Sequence, residues 1–459
     1  MTDIQDMRPS GAEAALLLPG DDLPTPSSPE GGRKRIVIVG AGFAGIATAR
    51  ALTRCDADVI LVDRRNHHIF QPLLYQVASA VLAPSDIAAP IRQISEKQKN
   101  VTVILADVTD VDLSARSIDA LCPGVGTRKI RFDYLVIATG VRPSYFGHDE
   151  FARFAPGLKN LSDAETIRAK ILSAYELADA TDDDNERARQ MTFVLVGAGP
   201  TGVELAASIA QLAALTLRGQ YRRINPATSS ILLVEGGKRV LPTFAESLAR
   251  KSARRLEKLG VEILTGVKVE KVDESGVIAN GQRIPSATVL WTAGVAASPI
   301  VKRLGAATDR AGRVSVGPLM NVQGVSGDYA VGDTSSIICD GRPVPGVAQA
   351  AIQQGRYVGR LISRHLRGWE TKEPFQYSDR GNMAVVGKNF AILESGRFRA
   401  SGFLTWFVWI FLHLMSLPQL QNRLRVQVQW FWSYLTGQRS SRLIPEAPTA
   451  ETRDPGVKP

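Results

Sequence analysis

The chain has 459 residues, of which 44% are apolar and 22% charged, with a formal net charge of +10 at pH 7. That length exceeds what one hydrophobic core organises, so two or three domains are expected, and the composition excludes both a disordered chain and a polytopic membrane protein. The positive balance favours anionic partners, whether nucleic acid, a lipid surface or a phosphate-bearing cofactor, without choosing among them.

Residues 1–32 carry acids and prolines where a signal peptide would need a basic start and an apolar stretch, and read as a loosely ordered tail. The first patterned segment is R-I-V-I-V at Arg35 to Val39, a β-branched run suited to a strand buried on both faces. G-A-G-F-A-G follows, with Gly40, Gly42 and Gly45, and then a run of good helix formers. The three glycines serve separate ends, namely a tight turn, close approach of backbone to a pyrophosphate, and close packing of helix on strand. The amides at the helix start would face the phosphates. A second strand, Val59 to Val62, ends at Asp63, the place of an acid that binds the adenosine ribose.

The same pattern returns at Thr192 to Val196, followed by G-A-G-P-T-G with Gly197, Gly199 and Gly202. Its second strand, Ile231 to Val234, ends at Glu235, an acid that disfavours a 2′-phosphate and so prefers NADH to NADPH. Lys238 and Arg239 stand close enough in sequence to soften that preference. A duplicated fold in which one copy has lost its nucleotide is the alternative. Both copies keep three glycines and the terminal acid, which favours two working sites, one for a resident cofactor and one for an exchanging one.

The C-terminal part differs in kind. Phe403 to Leu417 is apolar for fewer than the ~20 residues a bilayer-crossing helix needs. Leu420 to Leu435 places Leu420, Leu424, Val428, Phe431 and Leu435 on one helical face. Six arginines (Arg397, Arg399, Arg423, Arg425, Arg439, Arg442), no acid and four of the chain's six tryptophans lie between Ser395 and Pro445. Apolar face, aromatic rings and arginines describe an interfacial anchor on an anionic lipid surface, with a dimer interface as the alternative. Residues 446–459 read as a second loose tail.

With these motifs in hand, the chain resembles the two-dinucleotide-binding-domain flavoproteins. Y-L-V-I-A-T-G at Tyr134 to Gly140 and Y-A-V-G-D at Tyr329 to Asp333 are similar to that superfamily's returning strand and late flavin motif. Within it, F-Q-P-L-L-Y-Q-V-A at Phe70 to Ala78, W-T-A-G-V at Trp291 to Val295 and A-Q-A-A-I-Q-Q-G at Ala348 to Gly355 resemble the type II NADH dehydrogenases, single-subunit NADH:quinone oxidoreductases that pump no protons.

The resemblance implies an α/β fold of two Rossmann-like domains. The FAD domain, 33–158 and 301–392, would be split around an NADH domain at 159–300, with anchor helices at 393–445. It implies FAD held by Gly40, Gly42, Gly45, Asp63, Val108, Gly140, Gly332 and Asp333, and NADH held by Gly197, Gly199, Gly202, Glu235 and Gly294. Gln353 and Gln354 would stand nearest the quinone head, and Glu204 and Lys388 would form a charged pair near the flavin. The glutamines read alternatively as helix-surface residues, and the charged pair as an ordinary interdomain ion pair. A homodimer at the cytoplasmic face of the cell membrane is implied by the resemblance as well.

Other chemistries recede. Cys55, Cys122 and Cys339 are far apart, unlike the neighbouring cysteines of a disulfide reductase. His67, His68 and His413 have no metal-ligand spacing, so no metal is expected. No nucleic-acid-binding signature accompanies the basic charge. A soluble reductase of a protein electron carrier and a redox-sensing flavoprotein remain the competing functions.

Overall fold

The computed structural model describes residues 32–322 and 327–444. The two expected tails therefore lie outside the described residues, apart from residue 32. Four strands, β1 (Lys34–Val39), β2 (Ala57–Asp63), β3 (Val101–Leu105) and β4 (Tyr134–Ile137), begin the first sheet, with helix α1 (Phe43–Ala51) between β1 and β2. A short helix α2 (Leu74–Ala78) follows β2. A long helix α3 (Leu161–Ala180) then leads to the second unit. That unit has β5 (Thr192–Val196), α4 (Pro200–Gln211), β6 (Ser230–Glu235), β7 (Val261–Thr265) and β8 (Thr288–Trp291). The chain returns through β9 (Asp328–Ala330) and α5 (Ala348–His365), and ends in a hairpin-rich segment and two helices, α6 (Phe403–Ser416) and α7 (Leu420–Thr436).

Both main sheets are parallel. The first has the order β9-β4-β1-β2-β3 and the second β7-β6-β5-β8. Ile36, Val37 and Ile38 have no accessible surface, nor have Phe193, Val194 and Leu195, as strands covered on both faces require. In each sheet the glycine-bearing strand is central and its neighbours connect in opposite directions. That reversal opens a crevice at the carboxyl ends of the strands, where nucleotides bind in open α/β sheets.

Two features tie the elements together. Helices α1 and α5 cross where Gly355 and Gly359 leave no room for a side chain: an added Cβ would lie 2.2 Å from the Ala44 carbonyl oxygen at the first and 2.6 Å from the Ala51 Cβ at the second. The inner faces of α6 and α7, through Trp409, Leu417 and Val426, join a core shared with Phe70, Leu73 and Phe193. Their outer faces carry the expected apolar row, with Leu420, Leu424, Val428, Phe431 and Leu435 all more than half exposed. Among the described residues no helix is long and apolar enough to cross a membrane.

Candidate active site

The two glycine loops are near copies. Gly40 and Gly197 both have φ of +104°, a left-handed conformation that a side chain would strain. Their amides donate to the carbonyls of Val62 and Val234, both at 2.7 Å. A Cβ on Gly45 would stand 1.8 Å from the Gly40 oxygen, and one on Gly202 would stand 1.9 Å from that of Gly197, so each helix seats directly on its own turn. Gly42 and Gly199, by contrast, face open space, with nothing within 4 Å of an added Cβ. That is the opening a pyrophosphate needs beside a helix N-terminus.

The two acids are also placed alike. Asp63 accepts from the Ala41 amide at 2.7 Å and the Arg65 amide at 2.8 Å. Glu235 accepts from the Ala198 and Gly237 amides, both at 2.7 Å. Each carboxylate is thus fixed at the lip of its loop by backbone amides, one to each oxygen. A carboxylate oxygen accepts more than one hydrogen bond, which leaves capacity for ribose hydroxyls.

Around the first loop, Gly140 donates its amide to the Thr334 hydroxyl at 2.7 Å, joining the returning strand to the turn that carries Gly332 and Asp333. Burial pushes the Asp333 carboxyl above its ordinary range and nearby Lys159 opposes the shift; burial in turn lowers the Lys159 ammonium, with Asp333 holding it up. Lys159 is a cation that the sequence did not single out. It stands in a plain G-L-K-N segment with no periodic or motif signal. Val108 is half-buried where the strand Asp107–Asp112 shifts register against Ser117–Cys122. In the second unit Gly294 has φ of +70° and lies under the Phe146 ring, 2.4 Å from its nearest atom to an added Cβ. These residues fit FAD in the first loop and NADH in the second.

The glutamines are placed differently from the simplest expectation. Gln354 is buried, and its Oε1 accepts from the Gly332 amide at 2.6 Å and from the Ser335 hydroxyl at 3.3 Å. It therefore holds the flavin-motif turn. Gln353 donates Nε2 to the Ser378 carbonyl at 2.9 Å and accepts from the Ser378 amide at 3.0 Å. Gln349, present in the sequence only as a letter inside a motif, does the same one turn earlier, between the Gly381 carbonyl and the Arg380 amide. An i, i+4 pair of amides on one helix face thereby clamps the 378–381 segment.

Glu204 and Lys388 do not form the expected pair. Glu204 accepts from the Val385 amide at 3.3 Å. It keeps some accessible surface, but its carboxyl is deep enough that burial raises it to about 8, against a smaller opposing effect of that bond. Lys388 points to α7, donating Nζ to the Tyr434 carbonyl at 2.6 Å and standing 3.9 Å from the centre of the Tyr434 ring. The physical reason is that a neutral acid needs no cation, and the lysine finds a carbonyl and a π-face near solvent.

A cavity of about 330 Å³ lies between α1 and α5, walled on its inner side by Phe43, Ile46, Ala47 and Ile352. Its outer rim holds Arg50, Arg356 and Arg360, with Ser416 and Pro418 from the junction of α6 and α7. Neither Gln353 nor Gln354 lines it; Ile352 of the same segment does. From Phe43 a chain of ring contacts runs outward through Phe70 (6.0 Å), His413 (6.2 Å from Phe70) and Trp409 (4.2 Å from His413) to Trp430 (5.6 Å from Trp409).

Polar side chains lock α7 and the segment after it to the body. Trp430 donates its indole N–H to Gln76 at 2.7 Å. Asn422 donates to the carbonyls of Ser85, Asp86 and Ala88. Arg439 is buried and donates to the carbonyls of Ser79 (2.6 Å) and Ser208 (3.0 Å). Burial lowers its guanidinium to about 9. Among the described residues no group of three or more His, Cys, Asp or Glu is placed to hold a metal.

Residues 34–355 match the family model of the pyridine nucleotide-disulphide oxidoreductases. A type II NADH:quinone oxidoreductase of Mycobacterium tuberculosis, Ndh, is 40% identical over 432 residues, covering 92% of both chains. The chain belongs to the type II NADH:quinone oxidoreductases. A second family member of the same organism, NdhA, is also 40% identical and covers 90% of each chain. The fold agrees with that of a family enzyme from Plasmodium falciparum solved with NADH, at 20% identity and a TM-score of 0.82 over 90% of this chain and all of the other. Cys55, Cys122 and Cys339 are all free, so no disulfide accompanies the two glycine loops.

Proposed function

We infer that the chain oxidises NADH at its second cradle, holds FAD in its first, and delivers two electrons to a membrane quinone without pumping protons. The observation that carries this is the pairing of two complete nucleotide cradles with a cavity whose mainly apolar inner wall begins at Phe43, beside the first cradle, and which opens at the junction of α6 and α7. FAD supplies the chemistry of accepting a hydride and releasing electrons; the protein supplies binding and orientation. Gly197, Gly199, Gly202, Glu235 and Gly294 hold NADH, while Gly40, Gly42, Gly45, Asp63, Val108, Gly140, Gly332 and Asp333 hold FAD. Glu204, its carboxyl raised to about 8 by burial, is suited to hold a proton inside the body of the enzyme. Gln353 and Gln354 act on the quinone site through the segments they brace.

The exposed apolar face of α6 and α7 lies on the membrane, peripherally, with Trp432 and the surrounding arginines at headgroup depth. NADH as substrate puts this docking on the cytoplasmic face. A second copy of the chain as partner rests on family resemblance, and sedimentation of the detergent-solubilised enzyme tests it.

Anaerobic stopped-flow absorbance tests the assignment. NADH should bleach the flavin and a soluble quinone analogue should restore it. Ile352→Trp, which fills the cavity, should slow the quinone step by about tenfold or more and leave bleaching by NADH unchanged. Equal slowing of both steps would move the quinone path elsewhere, and bleaching without recovery would replace quinone with another acceptor.

A further inference from the structure

The cavity between α1 and α5 changes character along its depth. Its inner wall is mainly apolar, with the buried His68 standing among Phe43, Ile46, Ala47 and Ile352, while three guanidinium groups, Arg50 on α1 and Arg356 and Arg360 on α5, line its rim. Arg356 and Arg360 are one helical turn apart on α5, and Arg50 faces them from the crossing helix. All three are exposed, and among the described residues none makes an ion pair or a side-chain hydrogen bond. Like charges collected without a carboxylate repel one another. Arg50 reaches solvent but is partly enclosed by its neighbours, and that partial burial and then Arg356 hold its guanidinium below its ordinary range. A protein gathers three such groups at little advantage unless an anion neutralises them.

The rim also contains Ser416 and Pro418, which join α6 to α7. On either side of this junction stand Phe411, Leu412, Met415 and Leu420, between 46% and 68% exposed. The cationic rim is therefore continuous with the apolar face, so an anion held there and acyl chains spread on that face can belong to one molecule. Guanidinium groups match phosphate oxygens in fork geometry.

We propose that Arg50, Arg356 and Arg360 form a binding site for the phosphodiester headgroup of an anionic membrane lipid, seated at the mouth of the cavity beside the α6–α7 junction. This rests on the reading of α6 and α7 as a membrane face, and extends it from a diffuse attraction by the anchor arginines to one built site in the body of the enzyme. The lipid would fix the orientation in which the cavity mouth meets the bilayer.

The test is flotation of the full-length, FAD-loaded enzyme with vesicles of phosphatidylcholine alone or with phosphatidylglycerol added. Wild type should bind the second more tightly. The triple variant R50Q/R356Q/R360Q should lose about tenfold or more of that preference while binding phosphatidylcholine vesicles as wild type does. R397Q/R399Q/R425Q, with the same change in charge on the anchor segment, should lose less than about threefold. Retained flavin absorbance reports the fold; if the triple variant loses its flavin, the single variant R356Q takes its place and should lose a measurable part of the preference. Equal loss in the two triple variants would reduce the site to general surface charge, and an unchanged preference in R50Q/R356Q/R360Q would overturn it. Suppression of the preference by inorganic phosphate, at matched ionic strength, in wild type and in R397Q/R399Q/R425Q alike, with no effect on what preference R50Q/R356Q/R360Q retains, would replace the lipid headgroup by free phosphate. Failure of wild type to bind either vesicle would instead overturn the membrane reading beneath it.

Discussion

Glu204 shows how far a residue's chemistry departs from its place in a motif. Its carboxyl is raised from 4.5 to about 8 chiefly by burial, so the folded state binds a proton that the unfolded state has lost across that interval. Stability contributed by this site therefore falls as pH rises from about 4.5 to about 8 and is level on either side. Glu204→Gln removes the ionisation. Its melting temperature should match wild type near pH 4.5 and exceed it by about 2 °C or more at pH 8, read by flavin-fluorescence melts. A constant offset at both pH values would show that the carboxyl does not change its ionisation on folding. The expected partner, Lys388, follows from residue types alone, since sequence does not reveal that the acid is buried enough to be neutral. Gln354 escapes the sequence for a related reason: glutamine is usually exposed, and nothing local reveals that a turn 22 positions earlier needs its oxygen.

At the scale of elements, most of the fold was legible. Strand, glycine turn, helix, strand and acid follow a spacing with a mechanical reason at every step, and both copies fold as their letters require. The α1–α5 crossing was less visible. Gly355 appears in the sequence as the last letter of a motif, and Gly359 as nothing in particular, because the reason for both lies on another helix. Replacing a mid-helix glycine by alanine normally stabilises a helix by up to ~1 kcal/mol. Here Gly355→Ala should destabilise instead, by about 1–3 kcal/mol, because the new methyl meets the Ala44 carbonyl and pushes apart two backbones. The same displacement shifts α1, whose first turn opens on the proposed FAD cradle. The check is a lower melting temperature with faster flavin loss on dilution; a gain in stability would show that the crossing yields.

For the molecule as a whole, the C-terminal helices are part of the body as much as an appendage to it. The outward apolar row was readable from period alone, but the inward contacts were not, because Asn422, Trp430 and Arg439 are polar or amphipathic letters whose partners lie more than 200 positions away. Ending the chain at Gly402 would leave the carbonyls of Ser79, Ser85, Asp86, Ala88 and Ser208 without these donors and would uncover Phe70 and its neighbours. Such a truncated chain should lose FAD and aggregate, even in detergent, where size-exclusion chromatography monitored at the flavin band would reveal it. A soluble, flavin-loaded truncation would make the helices a detachable tether. The duplicated cradles have a different implication, for how cofactor choice can drift over generations. Glu235 pins Ala198 and Gly237, so if it also reads the ribose as proposed, any change that relaxes a preference for NADH also loosens the loop around it. On that reading selectivity is inherited together with foldability, and mutation cannot readily wear away one while sparing the other.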